Sequence, residues 1–156
     1  IIMKLTANFT LDELTKSQTA ERKGINNNPS PEQIENLKAL AVNILQPVRA
    51  HFDKALIISS GFRCAELCIE IGSSINSQHC ADNEAAAADF EIWGTDNEVL
   101  ATWIKSELEM DQLILEFHKK GEPNSGWVHC SYSRNQNRNQ CLRAYREDGK
   151  VQYKSW

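Results

Sequence analysis

The chain has 156 residues and a formal net charge of −4, from 17 Lys and Arg against 21 Asp and Glu. That length suits one domain with its own core, and the acidic balance argues against nucleic-acid binding, which needs a basic surface. No segment approaches the roughly 20 apolar residues of a membrane span, and "IIMKLTANFT" has neither the apolar stretch nor the cleavage site of a secretory signal. We therefore expect a single domain over residues 1–156, without membrane insertion, cytoplasmic as synthesised.

In chain order, "FTLDELTK" (9–16) opens with Thr10 and Glu13 three residues apart, a helix-start signature with Leu11 and Leu14 on one face. "GINNNPSPEQ" is a turn-rich linker. Ser30, Pro31 and Gln33 then set an N-cap, a first-turn proline and a capping-box partner. The helix they begin carries Ile34, Leu37, Leu40, Ala41, Ile44, Leu45, Val48 and Phe52 at helical spacing, and Pro47 should kink it.

"ALIISSGF" (55–62) reads as a buried strand ending at Gly61, and 64–71 as a short helix stopped by Gly72. "AAADFEIW" (86–93) is strand-like towards its end. Residues 96–108 form a helix with Val99, Leu100, Trp103 and Ile104 inward. "DQLILEF" (111–117) and "GWVHCSY" (126–132) are strands, and Asp148-Gly149 in the tail signals a hairpin. Early helices and mostly local strand pairing predict an α+β fold: a small antiparallel sheet with flanking helices and a cleft on the sheet.

The five cysteines, Cys64, Cys68, Cys80, Cys130 and Cys141, are odd in number and scattered, with no CxxC pair. A disulfide framework is not expected. Cys64 and Cys68, one helical turn apart, lack the second close pair a metal site would need, so buried or inert thiols are the default.

Of the four histidines, His51 falls at the end of the long helix as a cap or surface residue, and His118 sits beside Lys119 and Lys120, where a solvated ring is expected. His79 and His129 differ. His79 ends the polar loop "SINSQH", and His129 is embedded in a strand. Between them, Asp89 follows four alanines and precedes Phe90, in a setting that should be at least half buried. An unpartnered buried carboxylate costs several kcal/mol, so it needs an ion, a cation or a set of donors. His79, Asp89 and His129 supply the two nitrogens and one oxygen of a catalytic zinc site with its fourth position open.

Strand alternation adds a base. Gln112, Ile114 and Glu116 share one face of their strand, and Trp127, His129 and Ser131 share one face of theirs. If the two strands pair, Glu116 lies on the same side as His129, where a general base would work. The plainer reading makes Glu116 an edge residue paired with a lysine or arginine, and Glu91 is the reserve candidate. Arg63, where a strand breaks at Gly61, can bring a guanidinium to a substrate carboxylate or a developing oxyanion.

In this order, "SGFR" (60–63), "SQH" (77–79), "AADFE" (87–91) and "WVHCSY" (127–132) resemble the zinc D-Ala-D-Ala carboxypeptidase family, in particular its small single-domain branch that includes phage peptidoglycan endolysins. The resemblance runs from about Leu5 to Tyr132. It implies one zinc ion held by His79, Asp89 and His129, with Arg63 contacting substrate or stabilising the transition state. The implied substrate is the D-amino-acid stem peptide of peptidoglycan, cut as a carboxypeptidase or an endopeptidase, with Ser77, Gln78 and Trp127 as further substrate contacts. A monomer is expected, reaching the wall on phage lysis.

Two departures bear on the site. The family spaces its histidine and aspartate with six residues between, one of them glycine, whereas nine residues and no glycine separate His79 from Asp89. The loop must bulge, with Asn83 or Asp82 in the left-handed conformation, and Asp82 or Glu84 become rival ligands. Some branches also place a glutamate three residues before the last histidine. Gly126 stands there, so the base must come from elsewhere, and Glu116 is our choice. A catalytically silent, zinc-containing wall-binding or phage structural module is the competing expectation.

Overall fold

The structure is a computed structural model and describes residues 2–156. Thr10 caps α1 (Leu11–Thr15), its hydroxyl accepting from the Glu13 amide while the Glu13 carboxylate accepts from the Thr10 amide. A second short helix, α2 (Gln18–Lys23), follows, capped by the Ser17 side chain and ended by Gly24. The sequence pattern did not announce it, because only Ala20 on it is buried and "QTAERK" has no apolar stripe. Asn27 then ties the linker down. Its amide donates to the carbonyls of Thr15 and Phe62, and its oxygen accepts from the Cys64 amide.

The main core helix starts at Ser30 with the expected capping box. It runs as α3 (Pro31–Leu40), a widened π turn (Ala41–Leu45) and α4 (Gln46–Phe52). The widened turn sits just before Pro47, which cannot donate a backbone hydrogen bond and whose ring crowds the carbonyl four residues back. The sequence called for a kink there, and the π turn is how the helix accommodates the proline. Leu37, Leu40, Ala41, Ile44, Leu45 and Val48 are all fully buried on one face.

That face packs on a six-stranded sheet of order β1-β2-β4-β3-β5-β6: β1 (Leu56–Ser60), β2 (Ala85–Ile92), β3 (Gln112–Glu116), β4 (Trp127–Ser133), β5 (Gln140–Glu147) and β6 (Lys150–Ser155). Between β1 and β2 lies α5 (Ala65–Glu70), and between β2 and β3 lies α6 (Asn97–Glu107). The α+β class and flanking helices are as expected. All neighbours are antiparallel except β3 and β5, which run parallel. This exception arises because the chain leaves β4, hooks around the start of β3 and pairs on its far side. The hook is fastened by Asn139 and Gln140 amides donating to the Met110 and Asp111 carbonyls.

On α6, Leu100, Ala101 and Ile104 are buried and Trp103 is half-buried, but Val99 is half exposed rather than inward. The β5–β6 turn uses Asp148 and Gly149, both at positive φ, as the hairpin signal required.

Along β2 the faces separate cleanly. Ala86, Ala88, Phe90 and Ile92 belong to the helix-side core, so Asp89, with Ala85, Ala87 and Glu91, lies on the other face. There the sheet is left uncovered by the long helix, and the cleft forms.

Candidate active site and metal centre

Asp89 and His129 are direct partners in the β2–β4 ladder, and Glu116 pairs with Trp127 in the β3–β4 ladder. Strand alternation therefore puts Asp89, His129, Glu116 and Trp127 on one sheet face. His79 arrives from a single 3-10 turn, Gln78–Cys80, capped by the Ser77 hydroxyl, which accepts from the His79 amide. Its carbonyl accepts from the Arg63 amide at 2.9 Å, fastening this turn to the end of β1.

Three ligand atoms converge. Asp89 Oδ1 lies 2.9 Å from His129 Nδ1 and 3.4 Å from His79 Nε2, and the two ring nitrogens are 3.3 Å apart. Tetrahedral zinc with N and O ligands at 2.0–2.1 Å sets neighbouring ligand atoms about 3.3 Å apart. The triangle already has the size of one face of that tetrahedron. The tautomer also fits: His79 Nδ1 lies 2.8 Å from the Gly61 carbonyl, to which it donates, leaving the lone pair of Nε2 towards Asp89 and His129. The residues present thus suit a zinc ion, and all three line the cleft. No other cluster of three ligating side chains occurs among the described residues.

The electrostatics agree. Burial pushes the His79 pKa down, more than Asp89 pulls it up, so the ring is neutral and able to ligate. Burial would raise the Asp89 carboxyl, but hydrogen bonds to His129 and His79 outweigh it and hold the group far below the usual carboxylate range.

The longer loop between His79 and Asp89 is absorbed by left-handed backbone at Ala81, Asn83 and Glu84. Asn83 does this as expected; Asp82 does not, and Ala81 and Glu84, for which no left-handed conformation was expected, share the turn. Asp82 instead accepts from the Gln33 side chain at 3.1 Å, and Glu84 is exposed, so neither rival carboxylate joins the triangle.

Arg63 lies in the cleft wall rather than reaching across it. Nε donates to Ser60 Oγ at 2.8 Å, Nη1 to Ser73 Oγ at 3.5 Å and Nη2 to Asp89 Oδ2 at 3.4 Å. Glu116 is half-buried and lines the same cleft. Burial pushes its pKa up; His129 draws it down and Asp89 pushes it up, and no side-chain hydrogen bond holds its charge. The lysine or arginine partner of the plainer reading is absent among the described residues. Glu91, the reserve, accepts from Asn97 and does not line the cleft.

Of the remaining candidates, Trp127 lines the cleft beside His129, and Ser77 lines it while capping the His79 turn. Gln78 also lines it, with its amide committed to Asp111 Oδ2 at 2.6 Å. His51 is an exposed residue, stacked on Trp103 with centroids 4.3 Å apart. His118 corrects the sequence reading: its side chain is only 3% exposed, held by Asp96 and the Ser125 carbonyl, because the β3–β4 connection folds back over it.

The cleft, about 1080 Å³, also includes Asp111's partner Arg138 and Tyr153, which the sequence did not reveal. Arg138 comes from the polar run "NQNRNQ", which has no periodicity to place it, and Tyr153 from an exposed strand.

Among curated proteins, none matches this chain. The model of one family, Peptidase M15, matches residues 7–131, which takes in β1 to β3, most of β4 and all three triangle residues and leaves the β5–β6 hairpin outside. A largely buried His-Asp-His triangle of zinc dimensions on a helix-backed sheet, within a match over most of the sequence, leads to one conclusion: the chain belongs to the Peptidase M15 family of zinc D-Ala-D-Ala carboxypeptidase-like metallopeptidases.

Proposed function

We propose that this protein is a zinc peptidase that hydrolyses peptide bonds in the D-amino-acid-containing stem peptides of peptidoglycan, acting on its substrate as a monomer. The observation that supports this best is the disposition of Glu116: a free, half-buried carboxylate on the same sheet face as His129, lining the same cleft as the triangle. Family membership supports the substrate class.

His79, Asp89 and His129 would hold a single zinc. Bound there, zinc would supply a Lewis acid that lowers the pKa of water to about 7 and polarises a carbonyl. The protein's own groups do the rest. Glu116 Oε accepts the proton of the attacking water and delivers it to the departing amine nitrogen. Arg63, fixed by Ser60 and Ser73 and donating to Asp89, offers its guanidinium to the oxyanion that develops on the substrate carbonyl. Trp127 supplies an aromatic wall for the peptide, and Ser77 and Gln78 form the opposite rim.

The competing silent module drew its support from the lengthened His79–Asp89 loop, and that loop leaves the triangle intact. The test is Glu116→Gln, assayed on purified peptidoglycan and on a synthetic stem peptide, with zinc content measured on both proteins. The substitution should leave zinc bound and lower kcat by about 10²–10⁴-fold. Hydrolysis that persists at the wild-type rate removes Glu116 from its role, and a zinc-loaded wild type that cleaves neither substrate ends the peptidase reading.

A further inference from the structure

Cys68 and Cys80 take no part in the hydrolytic site, yet they stand directly behind it. Cys68 is on α5, and Cys80 closes the turn that presents His79. Both side chains are buried, with their sulfurs 3.2 Å apart. The other cysteines have separate surroundings: Cys64 Sγ accepts from the Leu67 amide at the start of α5, Cys130 lies in the helix-side core, and Cys141 is on β5. Among the described residues no other two sulfurs touch.

A disulfide has its sulfurs about 2.05 Å apart, so this pair has to close by roughly 1.2 Å, within reach of small side-chain rotations. The pair is also well placed. Cys68 Sγ donates to the Arg63 carbonyl at 3.8 Å, and the Arg63 amide donates to the His79 carbonyl. Residues 69–79, which leave Cys68 and return to Cys80, carry Ser73, Ile75, Asn76, Ser77 and Gln78 of the cleft rim. Beyond the end of α5 this segment has only short turns before Gln78.

We propose that Cys68 and Cys80 are an oxidisable dithiol, a modification site at which a small peroxide closes a disulfide that staples the 69–79 rim of the cleft to α5. Both sulfurs are buried, which shuts out bulky oxidants and calls for a small uncharged one. One thiol sulfur attacks the peroxide; the O–O bond breaks, one oxygen stays on sulfur as a sulfenic acid and the other leaves as water. The second sulfur then attacks the sulfenic sulfur; the S–S bond forms, the S–O bond breaks and a second water leaves. The two thiols together lose two electrons and two protons, and both peroxide oxygens end as water. The neighbouring thiol intercepts the sulfenic acid before it can oxidise further. Once formed, the bridge restricts the opening of the rim segment.

The full chain is treated with hydrogen peroxide, its thiols are counted in denaturant, and its proteolytic fragments are weighed. Two of the five thiols should disappear, the mass should fall by two hydrogens, and the fragments holding Cys68 and Cys80 should be joined until a reductant separates them. Amide exchange across 69–79 should slow at least tenfold in the oxidised form. In Cys68→Ser the joined fragment should be absent and Cys80 should gain oxygen instead. Oxygen added to wild-type Cys68 or Cys80 without linkage, linkage to another cysteine, or no reaction at the pair overturns the proposal. So does a bridge that leaves exchange in 69–79 unchanged. None of these readouts depends on peptide hydrolysis.

Discussion

Asp89 and His129 face each other across the β2–β4 ladder, and His129 Nδ1 lies 2.9 Å from Asp89 Oδ1. Ladder register alone sets this pair, so two of the three candidate ligands are fixed by the sheet and only His79 depends on a loop. Asp89→Asn keeps the volume and register but removes the charge. Its affinity for zinc should fall by more than about tenfold, since weaker outer-shell changes already cost that much. In the wild type, zinc at about 100 times its Kd should stabilise the fold by about 2.7 kcal/mol; in the variant that gain should be largely lost at the same concentration. Competition against a chelating dye and thermal unfolding with and without zinc measure both.

The parts of this arrangement that were legible in the sequence are those with a period or a cap. The Thr10 and Ser30 capping boxes, the long apolar stripe and the alternation in β3 and β4 fixed the helices and the common face of Glu116 and His129. What stayed hidden depended on contacts remote in the chain. His118 looks solvated beside two lysines, but Asp96, over 20 residues earlier, draws it inward. Arg138 reaches the cleft only because the chain hooks around β3 to pair in parallel, a crossing no local pattern encodes.

Gly126 connects the β3–β4 loop to Trp127 with φ of +67°, and a Cβ there would overlap the Glu116 carbonyl oxygen. Gly126→Ala therefore combines left-handed strain with overpacking against the strand end that carries the proposed base. Stability should drop by about 1–3 kcal/mol, read from urea unfolding. Zinc content should be unchanged because no ligand adjoins the clash, while kcat falls. A variant as active as the wild type would show that the end of β3 can shift without consequence for the chemistry.

Asp111 anchors the hook. Its carboxylate accepts from Arg138 Nε at 3.0 Å, Arg138 Nη2 at 2.9 Å, the Arg138 backbone amide at 3.0 Å and Gln78 Nε2 at 2.6 Å. Burial pushes its pKa up, but these donors outweigh that and hold it below the usual range. A carboxyl whose folded pKa is depressed stabilises the protein above its unfolded value, about pH 4, and loses that contribution as pH falls through the folded value. Asp111→Asn should be less stable at pH 7 by on the order of 2 kcal/mol. The gap to wild type should narrow below about pH 4. Denaturant midpoints at several pH values test the sign, and a gap that widens in acid would contradict it.

Arg63 makes three separate contacts, through Nε to Ser60, Nη1 to Ser73 and Nη2 to Asp89. These use the spread of a planar guanidinium, which a single ammonium cannot reproduce. Arg63→Lys keeps the charge and the backbone bond to His79, so the triangle and its zinc should survive. The cation, however, can satisfy only one of the three partners and is no longer held against Asp89. We expect kcat/KM to fall about 10–10³-fold, in the range found when one preorganised donor to a developing oxyanion is removed. Zinc occupancy should stay within twofold of wild type. If zinc is lost in proportion to activity, Arg63 serves the metal site by holding Asp89 and has no separate part in binding the reacting carbonyl.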